Sequence, residues 1–332
     1  MTDGSLASGP LFGLPLAELW FALLFFIFGT FLFLDGFDFG AGALFATRED
    51  EAERETILAA IGPFWDGNEV WLVVFGGALF AAFPAAYAGL FSRHYLLMFA
   101  ILGALLVRGL APEMYEQRHD ERWQRAWGVA FVVGSVTAPF FLGLFVANWL
   151  LGASSSVTLA GVVVGLAVVA LTVVTGAAFL RLKTRGALRA DLRRYGEYGV
   201  VAYLALVVVA LGAIYATAPG MRADLVSLPT AGLVAVSVAA GGGYLLASRR
   251  DAVYAAFVLG GVLVYALVTL VAALLFPVVD PATGLTVRAA VVSPLPLNLM
   301  SIGAALLLPL VFSYFAVLYG AFSGPVEAGE AY

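Results

Sequence analysis

Four carboxylates able to carry protons sit where an apolar chain has little reason to put them. Asp66 and Glu69 lie in Ile61-Gly62-Pro63-Phe64-Trp65-Asp66-Gly67-Asn68-Glu69-Val70-Trp71, inside a segment (57–83) long enough to cross a bilayer. Three residues apart on a helix, their side chains leave from one face. Asp35 and Asp38 repeat that spacing in Leu34-Asp35-Gly36-Phe37-Asp38-Phe39-Gly40. Each charge near a bilayer centre costs about 2.5–3.5 kcal/mol even on a lenient scale, so such groups imply a polar path, a proton relay or a buried partner. Arg108, in Val107-Arg108-Gly109-Leu110-Ala111-Pro112-Glu113, is the basic residue near these acids that still lies within an apolar run. One guanidinium cannot neutralise Asp35, Asp66 and Glu69 together. Two readings follow: at least one acid is protonated and relays protons, or all of them pair with each other or with a partner subunit and only fix helix packing.

The neighbouring residues divide in the same way. Asp38 is placed nearer the membrane surface, with a solvated or capping role set against a relay role. Trp65 and Trp71 either line the path or pack. Asn68 is the kind of amide that crosslinks helices. Glu49-Asp50-Glu51 and the run Arg189 to Arg194 read as solvated loop charge.

What the chain lacks is as informative. It has no cysteine and two histidines, His94 and His119. His94 is expected at the surface, at the outer end of the third span, and His119 in a charged loop. Haems with paired axial ligands would need more candidates at membrane depth. Neither a phosphate-binding glycine loop nor a hydrolytic triad is present, and no basic patch suits nucleic acid. Any redox chemistry must use cofactors held elsewhere.

The elements that position the acids follow from composition. Of 332 residues, 62% are hydrophobic and 12% charged, with a mean hydropathy of +0.99; ordinary globular domains carry about 25% charged residues. Nine apolar segments are expected, at 17–45, 57–83, 93–111, 125–151, 157–180, 199–218, 228–247, 252–276 and 299–323, each long enough to span the hydrocarbon core. The even-numbered loops hold only Arg93, Arg222 and Arg288 of the 17 Lys and Arg residues. By the positive-inside rule the odd loops are cytoplasmic, the N-terminus is outside and the C-terminus inside. The start of the chain has no positive n-region, so the first span is expected to be retained.

The fold class is therefore an all-α polytopic membrane protein of about nine transmembrane helices, two four-helix bundles plus one peripheral helix. It forms a single integral membrane domain (1–332), with an N-terminal bundle carrying the acids (15–151), five further helices (157–323), and long polar linkers at 112–124, 181–198 and 277–298. Counted from the helix ends, Asp35 lies about 16 Å and Asp66 about 14 Å from the cytoplasmic side, so adjacent helices hold them at matching depth. Gly36 and Gly40 form a small-xxx-small pair that permits close helix approach.

On these residues the sequence resembles subunit II of cytochrome bd-type quinol oxidases, including the cyanide-insensitive branch. The matching blocks are residues 34–40 and 61–71, then Gly76-Gly77-Ala78-Leu79-Phe80-Ala81-Ala82-Phe83-Pro84 and Arg108-Gly109 with Glu113. A weaker block at 293–323 includes Ser293-Pro294, Pro309 and Tyr314. Phe64 stands where a smaller apolar residue is more usual. The resemblance implies a heterodimer in a prokaryotic cell membrane, with a haem-bearing subunit I that holds haem b, haem d (or a further haem b) and the quinol site. Small accessory single-span subunits and a structural quinone or lipid are also compatible with it. The complex would oxidise quinol, reduce O2 to water and draw protons from the cytoplasm, while this chain binds no haem or metal and has no complete active site. Asp35, Asp66, Glu69 and Arg108 would then belong to a proton path, and Asp38, Trp65, Asn68, Trp71 and Glu113 to its support or to oxygen access. A stand-alone proton-coupled transporter is the competing reading, because intramembrane acids and glycine-interrupted helices occur there too; a purely structural scaffold would leave the acids costly and idle.

Overall fold

A computed structural model describes residues 6, 7, 9–118 and 120–326, so His119 lies outside the described residues. The chain is helical apart from one small hairpin. In order, the helices are α1 (Leu16–Phe45), α2 (Glu51–Ile61), α3 (Trp65–Ala82), α4 (Pro84–Arg93), α5 (Tyr95–Glu116), α6 (Glu121–Leu150), α7 (Leu159–Lys183), α8 (Gly186–Thr217), α9 (Arg222–Leu225), α10 (Leu228–Arg249) and α11 (Val253–Leu275). Strands β1 (Val278–Asp280) and β2 (Leu285–Thr286), then α12 (Val287–Ala290) and α13 (Pro294–Ala321), complete the chain. Among the described residues, eight helices are long and apolar enough to cross a membrane. The ninth span is α3, whose apolar run is diluted by Asp66, Asn68 and Glu69.

Two expectations need correction. The segment 57–83 is not one helix but α2 and α3, separated at Gly62-Pro63-Phe64. Pro63 has no N–H to give to the preceding turn, and its ring disfavours helical backbone before it. The chain bridges the gap with a tight turn, Phe64 N–H to the Ile61 carbonyl at 2.9 Å, and α3 restarts with Asn68 N–H on the Phe64 carbonyl. The polar stretches 112–124 and 181–198 are likewise mostly helix. α5 runs through Pro112 to Glu116, and α6 begins at Glu121 behind an Asp120 cap. Only Thr184 and Arg185 separate α7 from α8, with Gly186 at φ +62° taking the left-handed turn. Charged residues there extend the helices beyond the apolar layer rather than forming loops. Nor are all of them solvated: Arg181 is buried, donating to Ser248 and Asp251, and Arg189 reaches the same Asp251 at 2.6 Å.

α1 is the hub. It is apolar all round, as a helix surrounded by others must be, and packs on α3, α6, α7 and α11. Small residues set the closest approaches. Gly36 faces Thr172 and Thr175 of α7, and Gly40 meets the α7 backbone at Thr172 and Gly176. On the neighbouring pair, Gly134 of α6 lies against the backbone of Arg108 on α5. α13 is the peripheral member, its most apolar window being 0% buried. It is held by Trp20 donating to Ser301 (2.8 Å), and by Asn298, which donates to the Leu6 and Gly9 carbonyls.

At the end opposite the Arg-rich loops, the β1–β2 hairpin closes the bundle. Arg93 grips Asp280 bidentately at 3.0 and 3.1 Å, and Trp149 donates to the Val279 carbonyl at 2.8 Å. Burial opposes the charged form of Asp280, but hydrogen bonds from Arg93 and Thr283 outweigh it and hold the carboxyl below its ordinary range.

Two outcomes are expected. Gly40→Ala would drive a methyl group into the Thr172 carbonyl and lower stability by about 1–3 kcal/mol, whereas Gly212→Ala, with no atom within 4 Å of the new methyl, should be tolerated; thermal melting of the purified protein distinguishes them. Because the Asp280 carboxyl is depressed in the fold, its stabilisation is present above the unfolded value of about 3.9 and is lost as pH falls below that. Protection factors for hydrogen exchange at residues 278–286 should therefore fall in acid, and Asp280→Asn should show the lowered protection already at neutral pH.

Candidate functional site

Four elements deliver the polar cluster. α1 supplies Asp35 and Asp38, α3 supplies Asn68 and Glu69, α5 supplies Arg108, and α13 supplies Tyr319. The spacing i, i+3 puts Asp35 and Asp38 on the same flank of α1, and Gly134 lets α6 press α5 inward so that Arg108 reaches them. Asp35 and Asp38 are fully buried and Arg108 is 1% exposed.

Arg108 is the centre. Its Nη2 lies 2.6 Å from Asp35 Oδ1 and 3.8 Å from Asp38 Oδ2, while Nη1 donates to Glu69 Oε2 at 3.0 Å. Its guanidinium carbon sits 4.6 Å from the centre of the Phe39 ring and 5.9 Å from that of Trp65. Asn68 donates to Asp38 Oδ2 at 2.8 Å and to the Leu34 carbonyl at 3.4 Å, and accepts from the Tyr319 hydroxyl at 2.9 Å. A continuous chain thus runs Tyr319–Asn68–Asp38–Arg108. Asp35 Oδ2 and Asp38 Oδ1 have no hydrogen-bond partner among the described residues. Two of the three carboxyl groups facing this one guanidinium are sealed from water, so charging all three carries a large penalty.

The expected residues divide cleanly. Asp35, Glu69 and Arg108 come together, and Asp38 joins them in the interior rather than at the membrane surface. Asp66 does not: it is exposed at the first turn of α3, one turn before Glu69. The matching depths expected for Asp35 and Asp66 do not produce a contact; the deeper partner from α3 is Glu69. Glu113 is exposed beyond the cluster. Trp65 packs on Arg108, whereas Trp71 is buried against Phe312 and Phe315 of α13. Nothing in the sequence marks Tyr319, because a tyrosine in an apolar segment signals nothing without the helix beside it; Tyr314, in the weaker matching block, is 61% exposed.

Glu69 also borders an apolar cavity of about 420 Å³ between α3, α5 and α6, walled by Phe28, Phe75, Leu105 and Phe145. Among the described residues it is the one charged side chain lining that space, and its own side chain is 32% exposed. Trp71 does not line it.

His94, expected at the surface, is 1% exposed at the bend between α4 and α5, edge-on to Phe145, with neither ring nitrogen hydrogen-bonded among the described residues. Among the described residues no three His, Asp or Glu side chains converge to hold a metal, and His94 does not line the cavity.

A family model described as cytochrome bd terminal oxidase subunit II matches residues 16–322. Cytochrome bd ubiquinol oxidase subunit 2 of Bacillus subtilis is 35% identical over 238 residues, covering 67% of this chain and 70% of that one. Cytochrome bd-I ubiquinol oxidase subunit 2 of Escherichia coli K12 is 28% identical, covering 91% and 92%. In fold, the chain is similar to the bd oxidase structure from Geobacillus thermodenitrificans, with a TM-score of 0.77 at 16% identity over 93% of this chain and 99% of that one.

Removing the central cation should be severe. Arg108→Met leaves Asp35 and Asp38 buried without a counter-charge, a loss of about 3–5 kcal/mol, seen as a fall in melting temperature and in yield from the membrane. Adding Asp35→Asn to that variant should restore part of the loss, because it removes one of the stranded charges.

Proposed function

The chain belongs to the cytochrome bd terminal oxidase subunit II family, and from that premise we propose that it is the haem-free membrane subunit of a quinol:O2 oxidoreductase. Its partner is a haem-bearing subunit I that holds haem b and haem d, or a further haem b, together with the quinol site. Quinol gives electrons to the haems, O2 is reduced to water there, and the protons consumed come from the cytoplasm. This chain contributes assembly of the haem subunit, proton delivery and an apolar approach for O2.

The observation that carries the proton role is a gradient of burial along charged residues. Asp66 is exposed, Glu69 is partly exposed, and Arg108 with Asp35 is sealed. A proton arriving at Asp66 has Glu69 one helical turn away. Glu69 and Asp35 are held on the same guanidinium. The proton therefore passes from one carboxyl group to the free carboxylate oxygen of the other, directly or over a water, without entering Arg108. Arg108 stays charged and holds the acids in place, while Asn68, locked by Tyr319, orients Asp38. The cavity bordered by Glu69 offers O2 an apolar space beside this path. The Arg-rich loops put the proton mouth at the cytoplasmic end, with the N-terminus outside and the C-terminus inside. The transporter reading is less well supported, since the similar proteins named above are oxidase subunits or an oxidase.

The test is purification of the tagged chain from its native membrane with spectra of the whole complex. Haem b and haem d bands should travel with a second membrane subunit. Asp35→Asn should keep haem content while lowering quinol oxidase turnover and coupled proton uptake about a hundredfold, within the usual range for a displaced proton-transfer group; Asp66→Asn, at the exposed mouth, should lower them less. Full turnover with normal proton uptake in Asp35→Asn would overturn the proton path, and a colourless preparation without a partner would overturn the oxidase reading.

A further inference from the structure

A second cavity, of about 560 Å³, opens at the Arg-rich end, where the end of α1, the start of α2, the end of α5 and the start of α6 meet. Its size falls in the range of small-molecule sites, about 300–1,000 Å³. Both signs of charge line it: Arg54 and Arg125, with Glu49, Glu51 and Glu121. Even so, neither arginine is ion-paired among the described residues, although other arginines at this end, such as Arg48 and Arg118, are. Arg54 is held in place: its Nε donates to the Arg48 carbonyl at 2.9 Å and its guanidinium lies over the Phe45 ring at 5.4 Å. Its guanidinium also hydrogen-bonds the Tyr115 hydroxyl, which lines the cavity beside it, and the N–H groups left over are the donors available to the cavity.

The open edge of the cavity along α6 is apolar. Phe45, Val129 and Val133 line it, and Val129 and Val133 are one turn apart on α6, 58% and 49% exposed. The polar chamber therefore continues into a furrow facing the hydrocarbon layer. A free phosphate ion would make no use of that furrow. A purely anionic headgroup would meet three glutamates with nothing to offer them.

We propose that this cavity binds one phospholipid of the phosphatidylethanolamine class. The phosphodiester lies on Arg54 and Arg125, whose forked donors match paired phosphate oxygens. The ammonium group turns to the glutamates, and an acyl chain lies along Val129 and Val133. Because it touches four helix ends, the lipid clamps the α1–α2 junction to the α5–α6 junction. The assignment does not depend on the oxidase reading.

The experiment uses the intact complex, stripped of lipid in detergent, with lipid retention read by mass spectrometry and stability by thermal melting. Wild type should retain phosphatidylethanolamine, and Arg54→Gln with Arg125→Gln should reduce retention about tenfold, the loss expected for charge-assisted hydrogen bonds. Adding back phosphatidylethanolamine should raise the melting temperature of wild type and not of that variant, while phosphatidylglycerol or inorganic phosphate should raise it less. Glu49→Gln with Glu121→Gln should keep binding but shift preference toward phosphatidylglycerol, which a merely misfolded site would not do. Equal retention by the arginine variant, equal rescue by phosphatidylglycerol or inorganic phosphate, or unchanged preference in the glutamate variant would each overturn the proposal.

Discussion

A guanidinium sealed inside a membrane protein must find its counter-charges within the protein, and Arg108 finds them on two other helices. Asp35 and Asp38 come from α1 and Glu69 from α3, so the ion cluster holds α5, α1 and α3 in one mutual register. Such a group gives little net stability compared with apolar packing, yet breaking it by removing one partner is very costly. The cluster therefore acts as a constraint on how the helices may slide. Small residues are placed to let it form: Gly134 brings α6 onto the back of Arg108, and Gly40 brings α7 onto α1.

The break between α2 and α3 belongs to the same arrangement. Pro63 ends one helix and lets the next begin at Trp65, so that Asp66, Asn68 and Glu69 occupy the first turns of α3. Residues in that position lie at graded depth from the helix end. Asp66 is exposed, Asn68 faces the aspartates of α1, and Glu69 faces Arg108 and the apolar cavity. Polarity that would be costly at the middle of a long span is thus graded from an exposed end to a sealed interior.

α13 shows how a loosely packed helix can still matter to the centre. Little of it is buried, but Tyr319 closes the chain through Asn68 to Asp38 while stacking on Phe64 at 4.4 Å. Phe64, a bulky residue at the α2–α3 break, is part of the aromatic wall that excludes water on that side. Lys183 donates to the Phe322 carbonyl and lies over the same Phe64 ring, fastening the end of α13 to the end of α7. The polar cluster is consequently dry on the α13 side, and its exposed edge is the Asp66–Glu69 face of α3.

Read alone, the sequence determined the environment, the number of spans and the identity of most of the cluster. Charge is expensive in hydrocarbon, so residues such as Asp35, Glu69 and Arg108 stand out against an apolar background, and Lys and Arg placement separates one side from the other. Helix ends were less legible, because a polar segment such as 181–198 can continue as helix once outside the apolar layer, and because Pro63 breaks a run that hydropathy alone joins. Which residues meet was decided only by tertiary packing. The position of Asp66 in the first turn of α3 leaves it exposed, while Glu69, one turn deeper on the same face, reaches Arg108. The closeness of α1 to α7 and α6 buries Asp38, and the bend between α4 and α5 buries His94. Tyr319 owes its place to α13, more than two hundred residues from Asn68 in the chain. Those positions and approaches depend on the side chains of several helices at once, which no single segment encodes.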